Sequence, residues 1–165
     1  MITIQLLHDD AREPQRATEG SAGYDLFAYL SGRSVTCSDG QRTWTVEPEA
    51  REGGAALRLE PGVMARVPLG FKAQLPRGIE AQVRPRSGSS FKKGLHIPNA
   101  PGTVDSDYPD EWMVLIQNGG AGTLELVHGE RFAQMVLNRY EVLAFQPGQV
   151  GITTTRAGGF GSTGA

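Results

Sequence analysis

The residues best suited to chemistry lie in one short turn, residues 102–110, which reads Gly-Thr-Val-Asp-Ser-Asp-Tyr-Pro-Asp. It places the carboxylates of Asp105 and Asp107 next to the ring of Tyr108. A turn that only reverses the chain needs Gly, Pro, Asn or Asp and has no use for a ring between acids. The composition favours a pocket in which a carboxylate activates water and the ring forms a wall. The alternative is a solvated acidic loop.

A second motif, residues 84–90, reads Arg-Pro-Arg-Ser-Gly-Ser-Ser and follows a predicted strand. Guanidinium groups, hydroxyls and a glycine that lets backbone N–H groups approach an anion are the parts of a phosphate cradle. A polar turn with two surface arginines is the alternative.

Two glycine-containing motifs give weaker signals. Residues 21–26 carry Asp25 after a glycine, close to an apolar strand, which is also typical of a structural turn. Residues 158–164 surround Phe160 with glycines and hydroxyls, as in a phosphate-wrapping loop with an aromatic lid or in a simple linker.

A fifth motif is the alternating stretch around Gln134. The pattern predicts Arg131 and Ala133 on one face of a strand, with Phe132 and Gln134 on the other. An amide on a mostly apolar strand needs a hydrogen-bond partner, either a ligand or the backbone.

The bulk properties describe one globular domain. The chain has 165 residues, of which 39% are hydrophobic, enough for a packed core. A net charge of -2 argues against a protein held to nucleic acid by bulk charge. One cysteine, Cys37, excludes an internal disulfide and predicts a reducing, cytoplasmic location. The start of the chain shows no signal segment, and no apolar run is long enough to span a bilayer.

Short segments with β-type patterning are separated by frequent turn signals, which predicts an all-β sandwich or barrel. The predicted strands are 2–6, 57–60, 79–84, 113–116 and 132–137, with one short helical turn at 87–93. The last residues, 153–165, are rich in Gly, Thr and Ser and are expected to form a flexible tail.

Residues 31–54 read as an inserted element. Two β-prone stretches, 33–37 and 42–46, flank a Ser-Asp-Gly-Gln turn and predict a hairpin, followed by a polar linker. A surface hairpin is the favoured interpretation. An additional subunit contact and a docking site for a partner protein that uses Trp44 are the alternatives.

Taken together, the order and spacing of the five motifs resemble those of the homotrimeric dUTPase family, the dUTP diphosphatases. The resemblance runs from about residue 20 to residue 164, except for 31–54, and is unbroken from 86 to 108. It implies a jelly-roll-like β-sandwich or distorted barrel with one short helix, assembled as a homotrimer with active sites between subunits.

The resemblance also implies roles for single residues. Asp105 would be the general base that activates water for attack on the α-phosphorus of dUTP, giving dUMP and pyrophosphate. Tyr108 would pack against the deoxyribose and exclude a 2′-hydroxyl. The uracil would be read largely by backbone groups of the segment that contains Asn99, Gly102, Thr103 and Val104, with a main-chain contact from Met113.

The remaining implied roles concern the phosphates and a Mg²⁺ ion. The phosphates would be bound by Arg86, Ser87, Gly88, Gln134 and Arg156. Asp25 would hold waters of a Mg²⁺ ion that is carried mainly by the triphosphate. From the tail of another subunit, Phe160 would close over the uracil, and Gly161 and Ser162 would wrap the γ-phosphate.

Two departures from the family pattern affect these roles. In the family, the arginine of the tail motif usually lies five residues before the phenylalanine, where this chain has Thr155, and Arg156 is one step nearer to Phe160. After Tyr108, Pro109 and Asp110 replace a basic or amide residue followed by glycine, which stiffens the turn and adds charge.

Other functions compete with dUTP hydrolysis at this stage. A dCTP deaminase is expected to have a similar fold, but its site is not expected to contain an Asp and a Tyr at the positions of Asp105 and Tyr108. A non-catalytic regulator that uses the nucleotide as a switch is a second alternative. A generic β-sandwich interaction domain leaves the ordered motifs unexplained.

Overall fold

The computed structural model describes residues 1–151 and 154–155, and antiparallel strands dominate this part of the chain. The strands are β1 (Thr3–Leu6), β2 (Gln15–Arg16), β3 (Tyr24–Phe27), β4 (Val35–Ser38), β5 (Thr43–Val46), β6 (Ala56–Leu59), β7 (Met64–Pro68), β8 (Phe71–Gln74), β9 (Ile79–Pro85), β10 (Leu95–His96), β11 (Gly102–Val104), β12 (Met113–Asn118), β13 (Leu124–Val127) and β14 (Arg131–Arg139). The one helix of the described residues is α1 (Ser87–Lys93). All five predicted strands and the predicted helical turn are confirmed.

Two five-stranded sheets form the body of the fold. Their strand orders are β10-β12-β7-β4-β5 and β11-β9-β14-β3-β2, and two further pairs, β1-β8 and β13-β6, complete the structure. A single cluster of buried apolar side chains draws on both large sheets, for example Leu26 and Phe132 from one and Val67 and Ile116 from the other. The sheets are not closed into a barrel, so the architecture is a jelly-roll-like sandwich.

The strand that carries Gln134 departs from simple alternation. The register of β14 against β3 shifts between Arg131 and Ala133, as in a β-bulge. Phe132 and Ala133 are both fully buried as a result, while Arg131 is exposed. The prediction that Arg131 and Ala133 share one face is therefore wrong, because a bulge inserts one residue into the period of two.

The hairpin predicted within residues 31–54 forms, with β4 and β5 paired from Val35 opposite Val46 to Ser38 opposite Thr43. It is more than a surface appendage, because β4 lies between β5 and β7 in the sheet. Val35 and Cys37 of β4 are fully buried in the core. Burial raises the pKa of the Cys37 thiol, which suits a packing role and not a nucleophile.

Helix α1 follows β9 directly and ends at Gly94. Gly94 adopts the left-handed conformation, with φ of 65°, and its N–H bonds to the carbonyl of Ser90 at 3.0 Å. No helix of the described residues is long and apolar enough to cross a membrane.

Candidate active site

Three of the five motifs meet across neighbouring strands of one sheet. Gln134 on β14 pairs with Asp25 on β3 and, on the other side, with Arg84 on β9. Because directly opposed residues in a sheet point to the same face, this register gathers side chains that are far apart in sequence. They border a cleft of about 500 Å³ that is also lined by Gly23, Arg86, Ser87 and Gly88. We call this cleft the cradle.

An ion-pair cluster forms one wall of the cradle. The Nε of Arg86 lies 2.8 Å from Oδ1 of Asp25, and Nη1 of Arg131 donates to Oδ2 at 3.1 Å. The Asp25 side chain is only 11% exposed, so its charge needs these two partners. Arg86 also donates through Nη1 to the carbonyl oxygen of Arg131 at 2.9 Å. The Arg86 guanidinium is thereby held at the edge of the cleft.

Gln134 is oriented by its backbone neighbours. Its Nε2 donates to the carbonyl oxygen of Pro85 at 2.9 Å, which supplies the partner that its position requires. A Cβ placed on Gly23 would overlap Oε1 of Gln134, so the glycine at this position leaves room for the amide in its observed place.

At the start of α1, Ser87 and Gly88 bring hydrogen-bond donors to the cradle. The first turn of a helix leaves its backbone N–H groups without an intrahelical acceptor. The Ser87 hydroxyl adds a side-chain donor. The space beside Gly88 is open, because a Cβ on this residue would meet nothing within 4 Å. Together with the arginines, these groups offer the kind of donors that a phosphate-bearing anion requires.

A second cleft lies at the turn formed by residues 102–110. It has a volume of about 200 Å³ and is lined by Thr103, Val104, Asp105, Tyr108, Trp112 and Met113. We call it the base pocket. Asp105 is exposed, and within the described part of the chain its carboxylate contacts no cation or hydrogen-bond donor. A carboxylate in this state is free to accept a proton from water.

The backbone of β11 and the preceding residues shapes the base pocket. Gly102 is buried opposite Val83 of β9, and the amide of Asn99 packs so close that a Cβ on Gly102 would lie 3.2 Å from its Nδ2. Asn99 itself is exposed and does not line the pocket. The N–H of Tyr108 closes the turn on the carbonyl of Asp105 at 3.2 Å.

The sequence patterns did not single out Trp112 as part of the site. It is 2% exposed, packs against Phe71 with ring centroids 5.4 Å apart, and forms a wall of the base pocket. The available signal was an aromatic residue immediately before strand β12. Arg131, which pairs with Asp25, was also missed as a site residue.

The two clefts lie at opposite ends of β9. Val104 pairs with Ala81, and Arg86 comes five residues after Ala81, which corresponds to roughly 17 Å along an extended strand. Asp105 continues from Val104 in the opposite direction. The structure of one chain therefore groups Asp25, Arg86 and Gln134 but keeps Asp105 apart from them.

The predicted tail residues Arg156, Phe160, Gly161 and Ser162 lie outside the described residues. The roles assigned to them stay predictions.

Comparison with known proteins shows the family of the chain. The family model described as dUTPase matches residues 55–164, about two thirds of the chain. The chain belongs to the dUTPase family. A relative from Rhizobium rhizogenes named deoxyuridine 5'-triphosphate nucleotidohydrolase is 41% identical over 98% of this chain and 91% of its own length.

Solved dUTPase structures share the fold. A mutant of the Staphylococcus bacteriophage 80alpha dUTPase, solved with dUpNHpp, matches with a TM-score of 0.77 and 21% identity over 100% of this chain and 99% of its own. A mutant dUTPase from phage phi11 of S. aureus, described as revealing the coordination of a structural Mg(II) ion, matches with a TM-score of 0.70 and 20% identity over 92% and 98%. At these identities the two structures support the fold alone.

Proposed function

We propose that this dUTPase-family chain hydrolyses dUTP to dUMP and pyrophosphate, which removes dUTP as a source of uracil in DNA and supplies dUMP for dTMP synthesis. The observation that carries the proposal is the unpaired carboxylate of Asp105 beside Tyr108 in the base pocket. The family membership of the chain supports the choice of substrate.

Asp105 is the residue we assign as general base. Its carboxylate accepts a proton from a water molecule, and the resulting hydroxide attacks the α-phosphorus as the bond to the bridging oxygen breaks. Pyrophosphate leaves and dUMP remains. A positioned carboxylate base contributes on the order of 10²–10⁴-fold to the rate.

The cradle supplies charge neutralisation and orientation. Arg86, Ser87, Gly88 and Gln134 bind phosphate oxygens, with Ser87 near the oxygen that bridges the α- and β-phosphorus. A triphosphate carries about four negative charges, which must be balanced before water can approach the phosphorus. Arg86 is already aligned by Asp25 and the Arg131 carbonyl, so little reorganisation is needed when the substrate binds.

The base pocket provides selectivity in this proposal. Backbone groups of Gly102, Thr103 and Val104 hydrogen-bond the uracil, with Asn99 and Met113 completing the recognition segment. Tyr108, 41% exposed in the single chain, stacks on the deoxyribose and leaves no room for a 2′-hydroxyl. A ribonucleotide is thereby rejected.

We propose assembly into a homotrimer, which the family resemblance implies and which the separation of the clefts supports. A single α-phosphorus cannot lie beside both Arg86 and Asp105 of one chain when roughly 17 Å or more of strand separates them. In this proposal the cradle of one subunit and the base pocket of another form each site. Residues 140–151 support this, because they leave the body of the fold and expose Val142, Leu143, Phe145 and Val150 by 77% or more.

In this proposal a Mg²⁺ ion binds together with the substrate and is held mainly by its phosphates. Among the described residues no group of three His, Cys, Asp or Glu side chains could hold a metal ion. Asp25 is the carboxylate of the cradle, and its oxygens already accept from two arginines, so it suits water-mediated contact to a metal held by phosphates. When bound, the ion neutralises phosphate charge.

The tail completes the proposed site from another subunit. Phe160 would cover the uracil, while Gly161, Ser162 and Arg156 would contact the γ-phosphate. The buried, reduced Cys37 also fits a cytoplasmic enzyme.

The test is a panel of nucleotides with Mg²⁺: dUTP, UTP, dTTP and dCTP, followed by pyrophosphate release, with ammonia monitored in the dCTP sample. Release that is selective for dUTP by at least about 10²-fold supports the proposal. Ammonia from dCTP would assign a deaminase, and binding of dUTP without turnover would assign a regulator.

A further inference from the structure

A partly buried ion pair that the proposed mechanism does not use joins the start of the hairpin segment to the end of the turn at residues 102–110. Nη2 of Arg33 lies 2.6 Å from Oε2 of Glu111, and Nη1 lies 3.0 Å from Oε1. The two side chains are 23% and 12% exposed, so this bidentate pair is largely shielded from water. Other pairs on the hairpin segment, such as Arg42 with Asp39, are mostly exposed.

Glu111 anchors the end of the turn that carries the proposed base. Its Oε1 also accepts from the N–H of Gly70 at 2.9 Å. The next residue, Trp112, is fixed to β8 through its N–H, which donates to the carbonyl of Phe71 at 3.0 Å. Residues 105–110 therefore run from paired strand β11 to Glu111 and Trp112, where the Glu111 side chain and the Trp112 backbone attach the chain to residues 69–71.

Arg33 is itself held in place by aromatic and imidazole groups. Its Nη1 donates to Nε2 of His8 at 3.2 Å, since a guanidinium can only donate. His8 stacks on Tyr29 with centroids 4.5 Å apart, and the guanidinium lies over the Tyr29 ring at 6.0 Å. The Tyr29 hydroxyl donates to Oδ1 of Asp10 at 2.8 Å. Arg33 thus reaches Glu111 with little rotamer freedom to lose.

The turn between these anchors has few contacts of its own. Apart from its closing backbone bond, residues 105–110 have a 3.9 Å ion pair from Asp110 to Lys72 and a 3.4 Å contact from Ser106 to Tyr140, within the described part of the chain. Both contacts are long and lie on the surface. The position of the turn must therefore depend strongly on its buried end.

We propose that Arg33 and Glu111 are positioning residues that hold residues 105–110, and that they set the discrimination between deoxyribonucleotide and ribonucleotide. The proposal rests on the role given to Tyr108 in the proposed function. A displacement of about 1 Å in a reacting group can change a rate by 10²-fold, so a loosened turn affects selectivity before it affects the fold. The hairpin segment thereby acquires a role in the active site.

The kinetic test compares Arg33→Met and Glu111→Gln with the control Arg42→Met, which removes an exposed ion pair from the same segment. The ratio of kcat/KM for dUTP to that for UTP should fall about tenfold in both test variants and stay within about twofold in the control. The double variant Arg33→Met/Glu111→Gln should lose no more than either single variant, because the two side chains act as one unit.

Backbone amide exchange of a peptide that covers residues 105–112 gives a second readout that needs no substrate. Exchange should accelerate in both test variants and not in Arg42→Met. Folded test variants with an unchanged nucleotide ratio, or with unchanged exchange of this peptide, would overturn the proposal. If the unmodified protein does not prefer dUTP, the proposed function fails, and the exchange experiment still decides whether the pair holds the turn.

Discussion

The guanidinium of Arg86 and the carboxylate of Asp25 fix one another in the cradle, with Nε and Oδ1 2.8 Å apart. The pair joins β3, which carries Asp25 of the motif at residues 21–26, to the motif at residues 84–90. Arg131 completes it from the other side at 3.1 Å.

Asp25→Asn should weaken both the fold and substrate binding, because it leaves Arg86 and Arg131 without their charge partner. We expect the free energy of unfolding to fall by about 1–3 kcal/mol, the range for hydrogen bonds to charged groups. Urea denaturation measures this loss. In a double-mutant cycle with Arg86→Met, the losses should be less than additive by at least about 0.5 kcal/mol, and strict additivity would show that the pair has no energetic coupling.

The main effect of Gly23→Ala should be a higher KM for dUTP, with only a small loss in the free energy of unfolding. The new methyl group would overlap Oε1 of Gln134, so the amide would have to move away from Pro85 and from its place in the cradle. Steady-state kinetics should show KM for dUTP raised by about tenfold, the cost of roughly one charge-assisted hydrogen bond. Gly122→Ala, which lies outside the cradle and where a Cβ meets nothing within 4 Å, is the steric control. An unchanged KM in Gly23→Ala would show that Gln134 does not bind substrate.

Complementation between inactive variants should reveal shared active sites. Asp105→Asn and Arg86→Met should each be inactive alone. After unfolding and refolding as a 1:1 mixture, random trimers should recover about a quarter of the unmodified activity. In about that fraction of sites, an intact Arg86 from one subunit meets an intact Asp105 from another. Activity no higher than that of the two separate variants would place Arg86 and Asp105 in the same chain's site and contradict the proposed assembly.

Tyr29 should limit stability in alkali. Burial, and then the hydrogen bond to Asp10, raises the pKa of Tyr29 from 10.0 to about 12. Since the folded-state pKa lies above the unfolded one, this contribution to stability is complete below pH 10 and is lost as the pH rises toward 12.

Denaturation curves between pH 9 and 12, compared for the unmodified protein and Tyr29→Phe, measure this effect. The variant should be less stable near neutral pH but should show a shallower decline above pH 10. Parallel curves for the two proteins would contradict the assignment.

Much of the fold followed from local pattern, and the exceptions have a common cause. Alternation and turn residues predicted strands such as β1, β9 and β12, and the glycine at position 94 ends the helix that composition predicted at 87–93. The bulge in β14 was not predicted, because it depends on how two strands fit together. The interior position of β4 likewise depends on pairing with β7, about thirty residues away.

The candidate site shows the same division. The motifs identified Asp25, Gln134 and Asp105 by residue type and order, and the strand register then explains why Asp25 and Gln134 are neighbours. The pairing of Arg131 with Asp25 and of Arg33 with Glu111 joins residues that are 106 and 78 positions apart. A single sequence carries no local signal for such contacts.

The most direct test of the central claim is pyrophosphate release from dUTP with Mg²⁺ by the unmodified protein and by Asp105→Asn, each at saturating substrate. We predict that the unmodified protein turns over dUTP and that the variant binds it with similar affinity while kcat falls by about 10²–10⁴-fold. A variant that keeps near-normal kcat would contradict the assignment of Asp105 as the general base. Absence of pyrophosphate from dUTP with the unmodified protein would contradict the proposed reaction itself.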